Sequence, residues 1–249
     1  MKLLDKILNK TKISGNRRKV VKNVYWAVMG KVVNIVCGLL VGVMVARYLG
    51  PEQFGLMNYV ISYVMLFSVF AKFGMENIAI RELARNHDQK DSILGTAFLI
   101  RVVFALITVL LILGTLWKFE SDTKTTVLVM VYSVSLILTS LDVIRQYFTS
   151  IVMNEYVVKT EISRTLIGSL IKGILLFSHC SLIWFIVAST LEFALIGGGF
   201  VFAYRKLVGP LSAWKFDVSV ARMLIRESFP MLLSGTALLI YQKVDAIMI

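Results

Sequence analysis

The sequence has few residues of the kinds that build soluble enzymes. Charged residues make up 17% of its 249 positions, and it has only 3 prolines and 2 cysteines. Soluble domains average roughly 25% charged residues. Neither cysteine belongs to a CxxC pair, and both lie in or beside apolar segments. We therefore predict that both are small buried side chains with no metal or redox role. Because no hydrolytic triad, nucleotide-binding loop or HExxH motif is present, we predict no enzyme activity, no metal site and no cofactor.

Apolar residues, by contrast, are abundant. They make up 57% of the chain, and the mean hydropathy is +0.78, which is typical of an integral membrane protein. The formal net charge is +12. The bases cluster between apolar runs, where they set topology and meet anionic membrane lipid, so we expect no nucleic-acid partner.

The apolar runs predict an all-α fold. Several are close to the roughly 20 residues that a helix needs to cross a membrane. They cover residues 24–46, 54–73, 93–116, 127–148, 162–177 and 181–204, and a last run starts near Phe229. The run at 162–177 is short and is interrupted by Lys172. We predict a polytopic transmembrane helix bundle of six helices plus the start of a seventh.

Connections rich in lysine and arginine alternate with connections that have few of them, and this pattern predicts the orientation in the membrane. Residues 1–23 contain Lys2, Lys6, Lys10, Lys12, Arg17, Arg18, Lys19 and Lys22. By the positive-inside rule, 1–23 is a basic cytoplasmic segment, 24–204 a six-helix lobe, and 205–228 a cytoplasmic linker. The first segment is either an amphipathic helix on the anionic inner leaflet or a solvated tail. Residues 229–249 would be the start of a seventh helix, and their end in an apolar run favours a truncated or incomplete chain.

A short turn between the first two runs has a recognisable pattern. Residues 46–55 read Ala-Arg-Tyr-Leu-Gly-Pro-Glu-Gln-Phe-Gly, and residues 81–85 read Arg-Glu-Leu-Ala-Arg. Gly50-Pro51 predicts a tight hairpin, since proline lacks an N–H and disfavours helix in the residue before it. We expect Gly55 to permit close packing where the second helix starts.

These two blocks, with Phe73-Gly74-Met75 between them, resemble the N-terminal half of bacterial polysaccharide transporters of the O-antigen flippase type. That family belongs to a superfamily with multidrug exporters and the lipid II flippase. Phe229-Pro230-Met231 and Tyr241-x-x-x-Asp245 resemble the opening of its seventh helix. Lys72 departs from the pattern, since relatives often have an acidic residue there.

The resemblance implies one lobe of a two-lobe transporter in the bacterial inner membrane, with a substrate pathway between the lobes. The substrate would be an oligosaccharide linked to undecaprenyl diphosphate, and the C-terminal half would come from the same or a second chain. Two alternatives stay open. One is a cation-coupled multidrug antiporter; the other is a non-transporting fragment or assembly subunit.

Ionisable residues inside the apolar runs are the candidate functional residues, because a charge at mid-membrane usually faces a cavity or a partner. We predict that Lys31, Lys172 and Arg145 line a cationic cavity for a diphosphate or acidic sugars, with Arg47 at its outer mouth. Asp245 is a candidate for proton or sodium coupling, with an ion pair as the alternative.

Glycines are the last candidates. Gly38 and Gly42 form a GxxxG pattern, and residues 197–199 are three consecutive glycines. We expect both groups to pack helices together, with a hinge as the alternative.

Overall fold

The computed structural model describes residues 15–119 and 122–248, with side chains for 25–118 and 122–237. Within these ranges every regular element is helical, as predicted. The α-helices, numbered along the chain, are α1 (Gly15–Lys72), α2 (Glu76–Arg85), α3 (Lys90–Phe119), α4 (Thr123–Leu138), α5 (Val143–Ser150), α6 (Asn154–Phe177), α7 (Leu182–Leu207) and α8 (Val218–Met248).

Helix α1 bends sharply at Gly50, and this confirms the predicted hairpin. Gly50 has φ 71° and ψ 174°, a conformation that costs other residues energy. Pro51 then occupies a helix start, where its missing N–H is not needed. Val41 before the bend and Met57 after it line the same groove. Helix α1 therefore consists of a first arm before Gly50 and a second arm after it, folded side by side.

Connections at two opposite ends organise the bundle. At the Gly50 end, Tyr48 Oη donates to the Cys180 carbonyl at 3.1 Å, which joins the bend to the α6–α7 turn. One apolar cluster lies at this end and includes Leu49, Leu116 and Leu128. A second cluster, with Leu83 and Tyr204, lies at the opposite end, which we call the Arg81 end. Successive connections therefore lie at alternating ends of the bundle, as in a protein whose helices cross a membrane several times.

Four segments of the described residues are long and apolar enough to cross a membrane. They are Tyr25–Arg85, which contains the bend, His87–Lys118, Thr123–Ser150 and Leu182–Leu207. Helix α6 is not among them because Glu161, Arg164 and Lys172 interrupt it. It nevertheless packs along both α1 and α7, so Glu161, Arg164 and Lys172 are only partly exposed.

The linker before α8 is fastened to the start of α3. The backbone N–H of Lys215 donates to the Asp91 carbonyl at 3.2 Å, and that of Asp217 donates to Thr96 Oγ1 at 2.9 Å. Asp217 also caps α8, since its Oδ1 accepts from the Ser219 N–H at 2.7 Å. Hydrogen bonds from Ser219, through its hydroxyl and its backbone, hold the pKa of Asp217 below its usual range. Helix α8 thus begins at Val218, within the segment expected to be linker.

The block at residues 81–85 joins α2 to α8. Arg81 forms ion pairs with Glu82, at 3.0 Å, and with Glu227 of α8. Glu82 is buried and also accepts a hydrogen bond from Asn86 Nδ2 at 3.1 Å. The block at residues 81–85, which contributes to the resemblance, therefore contacts the last described helix.

Candidate functional site

A groove runs between both arms of α1, helix α6 and helix α7. We call it the central groove; its volume is about 200 Å³. It is lined by Asn34, Cys37, Gly38, Val41, Gly42, Val45, Phe54, Met57, Arg164, Thr165, Ser169, Lys172 and Glu192. Most of this lining is apolar, and the polar side chains come mainly from α6.

Three charged side chains meet in the central groove. Lys172 Nζ lies 2.7 Å from Glu192 Oε1, and Arg164 Nη1 lies 3.8 Å from Glu192 Oε2. The side chains of Lys172 and Glu192 are only 18% and 17% exposed. Two cations thus face one carboxylate, and this trio has a formal charge of +1.

Gly168 leaves room for the Glu192 carboxylate between α6 and α7. A Cβ at this position would be 2.5 Å from Glu192 Oε1, so a glycine is what allows α7 to bring Glu192 against α6. Nearby, Thr165 forms a hydrogen bond with Asn34 of the first arm. Helices α1, α6 and α7 are therefore joined through polar contacts along one groove.

The glycine predictions have mixed outcomes. A Cβ at Gly197 would lie 2.8 Å from Leu141 Cδ1, and one at Gly199 would lie 2.5 Å from Thr160 Cγ2, so these glycines do pack helices. For Gly38, Gly42 and Gly55 the packing prediction is wrong in the described lobe, because a Cβ would meet no described atom within 4 Å. Gly38 and Gly42 instead line the central groove and widen it.

Arg145 belongs to a different cluster. Its guanidinium lies 3.6 Å from Glu76 Oε1 and 3.8 Å from Glu161 Oε1. Arg101, 2% exposed, lies in the electrostatic reach of Glu76 and Asp142, and its Nη1 has no hydrogen-bond partner in the described part of the chain. The two arginines of this cluster face three carboxylates, so it is a network of opposite charges and not a cationic cavity.

The structure does not bring the predicted site residues together. Lys172 lines the central groove. Lys31 is exposed on the first arm, three residues before Asn34, or roughly one helical turn. Arg47 is exposed beside the bend, on a different face of the arm. Asp245 lies outside the residues whose side chains the structure describes.

Arg164 is a charged residue of the central groove that sequence reasoning missed. The predicted fifth apolar run starts at residue 162, so Arg164 lies at the edge of that run. Helix α6 actually begins at Asn154, which puts Arg164 ten residues, or about 15 Å, along it. The i, i+8 spacing of Arg164 and Lys172, which places them on one face, was the available signal.

The family assignment rests on a match over most of the chain. The family model described as "Polysaccharide biosynthesis protein" matches residues 20–249. The chain belongs to this family. No curated protein sequence matches it. Two solved structures have the same fold.

The first of these structures is an outward-facing multidrug resistance MATE family transporter of the MOP superfamily. It has 14% sequence identity and a TM-score of 0.62. The second is a MOP superfamily transporter from Pyrococcus furiosus described as having a binding pocket of reverse polarity, with 15% identity and a TM-score of 0.60. Each match covers 87% of this chain and 52% of the other, so the chain spans about half the length of either transporter.

Replacing Gly168 with alanine should lower the free energy of unfolding by about 1–2 kcal/mol. The Cβ forces the Glu192 carboxylate away from Lys172, and the loss of a charge-assisted hydrogen bond exceeds the gain from removing a helical glycine. The measurement is thermal unfolding of purified protein. Gly173→Ala, on the same helix with nothing within 4 Å, is the matched control and should be neutral or stabilising. An equal effect of Gly168→Ala in a Glu192→Ala background would show that Glu192 is not the cause.

Proposed function

We propose that this polysaccharide biosynthesis family member forms one lobe of a transporter that moves a lipid-linked oligosaccharide from the inner to the outer leaflet. The observation that carries the proposal is the central groove, which holds Arg164, Lys172 and Glu192 among apolar helices. The substrate class that fits is an anionic headgroup, and undecaprenyl diphosphate with an attached oligosaccharide is our candidate.

Charge supports this assignment. Phosphate groups gain most from fixed cations where water is scarce, because such cations replace the hydration that the phosphate loses. Glu192 neutralises one of the two cations in this groove, so Lys172 and Arg164 both have an acidic partner among the apolar helices. A diphosphate entering the groove would replace Glu192 as the partner of Lys172 and Arg164.

The position of Lys31 supports an approach to the groove. It lies on the first arm about one helical turn before Asn34, and its side chain is exposed. With the N-terminus at the cytoplasmic side, as the distribution of bases favours, Lys31 lies between the inner leaflet and the central groove. We therefore assign Lys31 to the first contact with the headgroup and Lys172 to the second.

A second lobe is part of the proposal. In two-lobe transporters of this fold, alternating access comes from movement of one lobe against the other around a site at their interface. The exposed apolar residues of the first arm, including Ile35, Leu39 and Val43, suit contact with such a lobe or with lipid. The second lobe would be encoded in the same or another chain.

Complementation tests the function. A bacterium lacking its own polysaccharide flippase would express this chain alone or together with a C-terminal half from the same family. We expect surface polysaccharide to return when both halves are present. Export of a cationic drug from the same cells, without any polysaccharide at the surface, would instead support a multidrug antiporter and contradict the proposal.

A further inference from the structure

A second groove lies outside the central one, on the side of the lobe where α6 and α7 meet. We call it the lateral groove; its volume is about 490 Å³. Its basic lining residues are Lys159, Arg164 and Lys206, and none of its lining residues is acidic. The packing of Gly199 against Thr160 brings the two helices close together at its floor.

The groove changes character along its length. Lys159 lies near the start of α6 and Lys206 near the end of α7, so both bases are at the Arg81 end. Ile167 and Leu195 line the groove further along, towards the middle of the lobe. Phe202, 69% exposed, stands beside the groove where an acyl chain would pass. The polar end also has the hydroxyl groups of Thr160 and Ser163.

We infer that the lateral groove binds an anionic phospholipid of the cytoplasmic leaflet. Its phosphate would lie between Lys159 and Lys206, with Ser163 as a hydroxyl donor, and one acyl chain would lie along Ile167, Leu195 and Phe202. Basic pockets between transmembrane helices on the cytoplasmic side suit such headgroups.

Length and charge both fit this ligand. Eleven residues separate Leu195 from Lys206, about 16 Å of helix, and half of the hydrocarbon core is roughly 15 Å. Lys159 is paired with Glu155 at 2.8 Å and lies over the Trp26 ring at 5.3 Å, so its ammonium is held in place at the groove. Arg164 and Lys206 supply positive charge beyond that pair.

The inference is separate from transport, because binding a membrane phospholipid needs the lateral groove and the proposed orientation alone. Arg164 lines both grooves, so a lipid bound laterally lies next to the Arg164–Glu192 contact. We therefore exclude Arg164 from the test and change only Lys159 and Lys206, which line the lateral groove and not the central one.

Lipid binding to the purified full chain, measured by native mass spectrometry, tests the inference. Phosphatidylglycerol should bind the wild-type chain and should bind Lys159→Gln/Lys206→Gln about 30-fold more weakly, since each base near an anionic lipid contributes roughly five- to sixfold. The matched control, Arg205→Gln/Arg222→Gln, removes two exposed charges outside the groove and should bind normally. Phe202→Gln should also weaken binding.

Three results would overturn the inference. The first is an equal loss of phosphatidylglycerol in the groove variant and the control. The second is phosphatidylcholine or inorganic phosphate binding with the same dependence on Lys159 and Lys206. The third is a dependence seen only with undecaprenyl diphosphate, which would make the lateral groove an entrance for substrate.

Discussion

Replacing Lys172 with glutamine is expected to reduce transport by roughly 10–100-fold. Lys172 lies 2.7 Å from Glu192, and its removal lowers the formal charge of the trio in the central groove from +1 to 0. A charge-assisted hydrogen bond to a phosphate contributes about 1.5–3 kcal/mol, and each 1.4 kcal/mol is a factor of ten. The measurement is surface polysaccharide in cells that express this variant with the second lobe, at matched membrane levels.

A charge series separates substrate binding from structural stabilisation. Arg164→Gln also gives a charge of 0 and should impair transport, whereas Lys172→Gln/Glu192→Gln restores +1 through Arg164 and should recover part of the activity. Glu192→Gln gives +2 and should keep anion binding. If the single Lys172 variant and the double variant were equally inactive, net charge would not be the property that matters.

Replacing Gly95 with alanine is expected to destabilise the lobe by about 2–3 kcal/mol. A Cβ at this position would lie 2.5 Å from the Lys215 carbonyl oxygen and 2.8 Å from its nitrogen, and backbone atoms cannot rotate away. The linker would have to move off α3 and lose the hydrogen bonds from Lys215 to Asp91 and from Asp217 to Thr96. At about 2–4 °C per kcal/mol, the Tm should fall by about 5–10 °C.

Gly114→Ala is the matched control for Gly95→Ala. Both glycines lie on α3, but a Cβ at Gly114 meets nothing within 4 Å among the described residues. We expect a gain of about 0.5–1 kcal/mol there, since alanine is the better helix former. Equal Tm values for the two variants would show that the linker does not rest against Gly95.

Local chemistry explains why the sequence predicted the bend and the helix bundle. Gly50 and Pro51 favour a helix end and a helix start through their own backbone preferences, independently of tertiary contacts. Apolar runs of about 20 residues have few alternatives to a membrane helix. The start of α8 was harder to predict. Its first turns, from Val218, are polar and cap on Asp217, so hydropathy alone finds only the apolar part from Phe229.

The candidate site was only partly predictable, because the partners of a charge are tertiary. Hydropathy shows that Lys172 and Glu192 interrupt apolar runs, but their 2.7 Å contact depends on Gly168 allowing α7 to approach α6. Arg145 has the same kind of sequence context, yet it lies with Glu76 and Glu161. A charge that interrupts an apolar run was therefore the same sequence signal for residues of two different clusters.

Movement of a charged lipid across reconstituted vesicles tests the central claim most directly. Vesicles would contain this chain with the second lobe and one of two lipids with the same oligosaccharide, one linked through a diphosphate and the other through an uncharged linkage. Loss of the sugar to an impermeant glycosidase outside reports its movement. We predict that the diphosphate-linked lipid crosses well above the rate in empty vesicles and that the uncharged lipid does not. Equal rates for both lipids, or no movement above empty vesicles with both lobes present, would contradict a cationic groove that carries the headgroup.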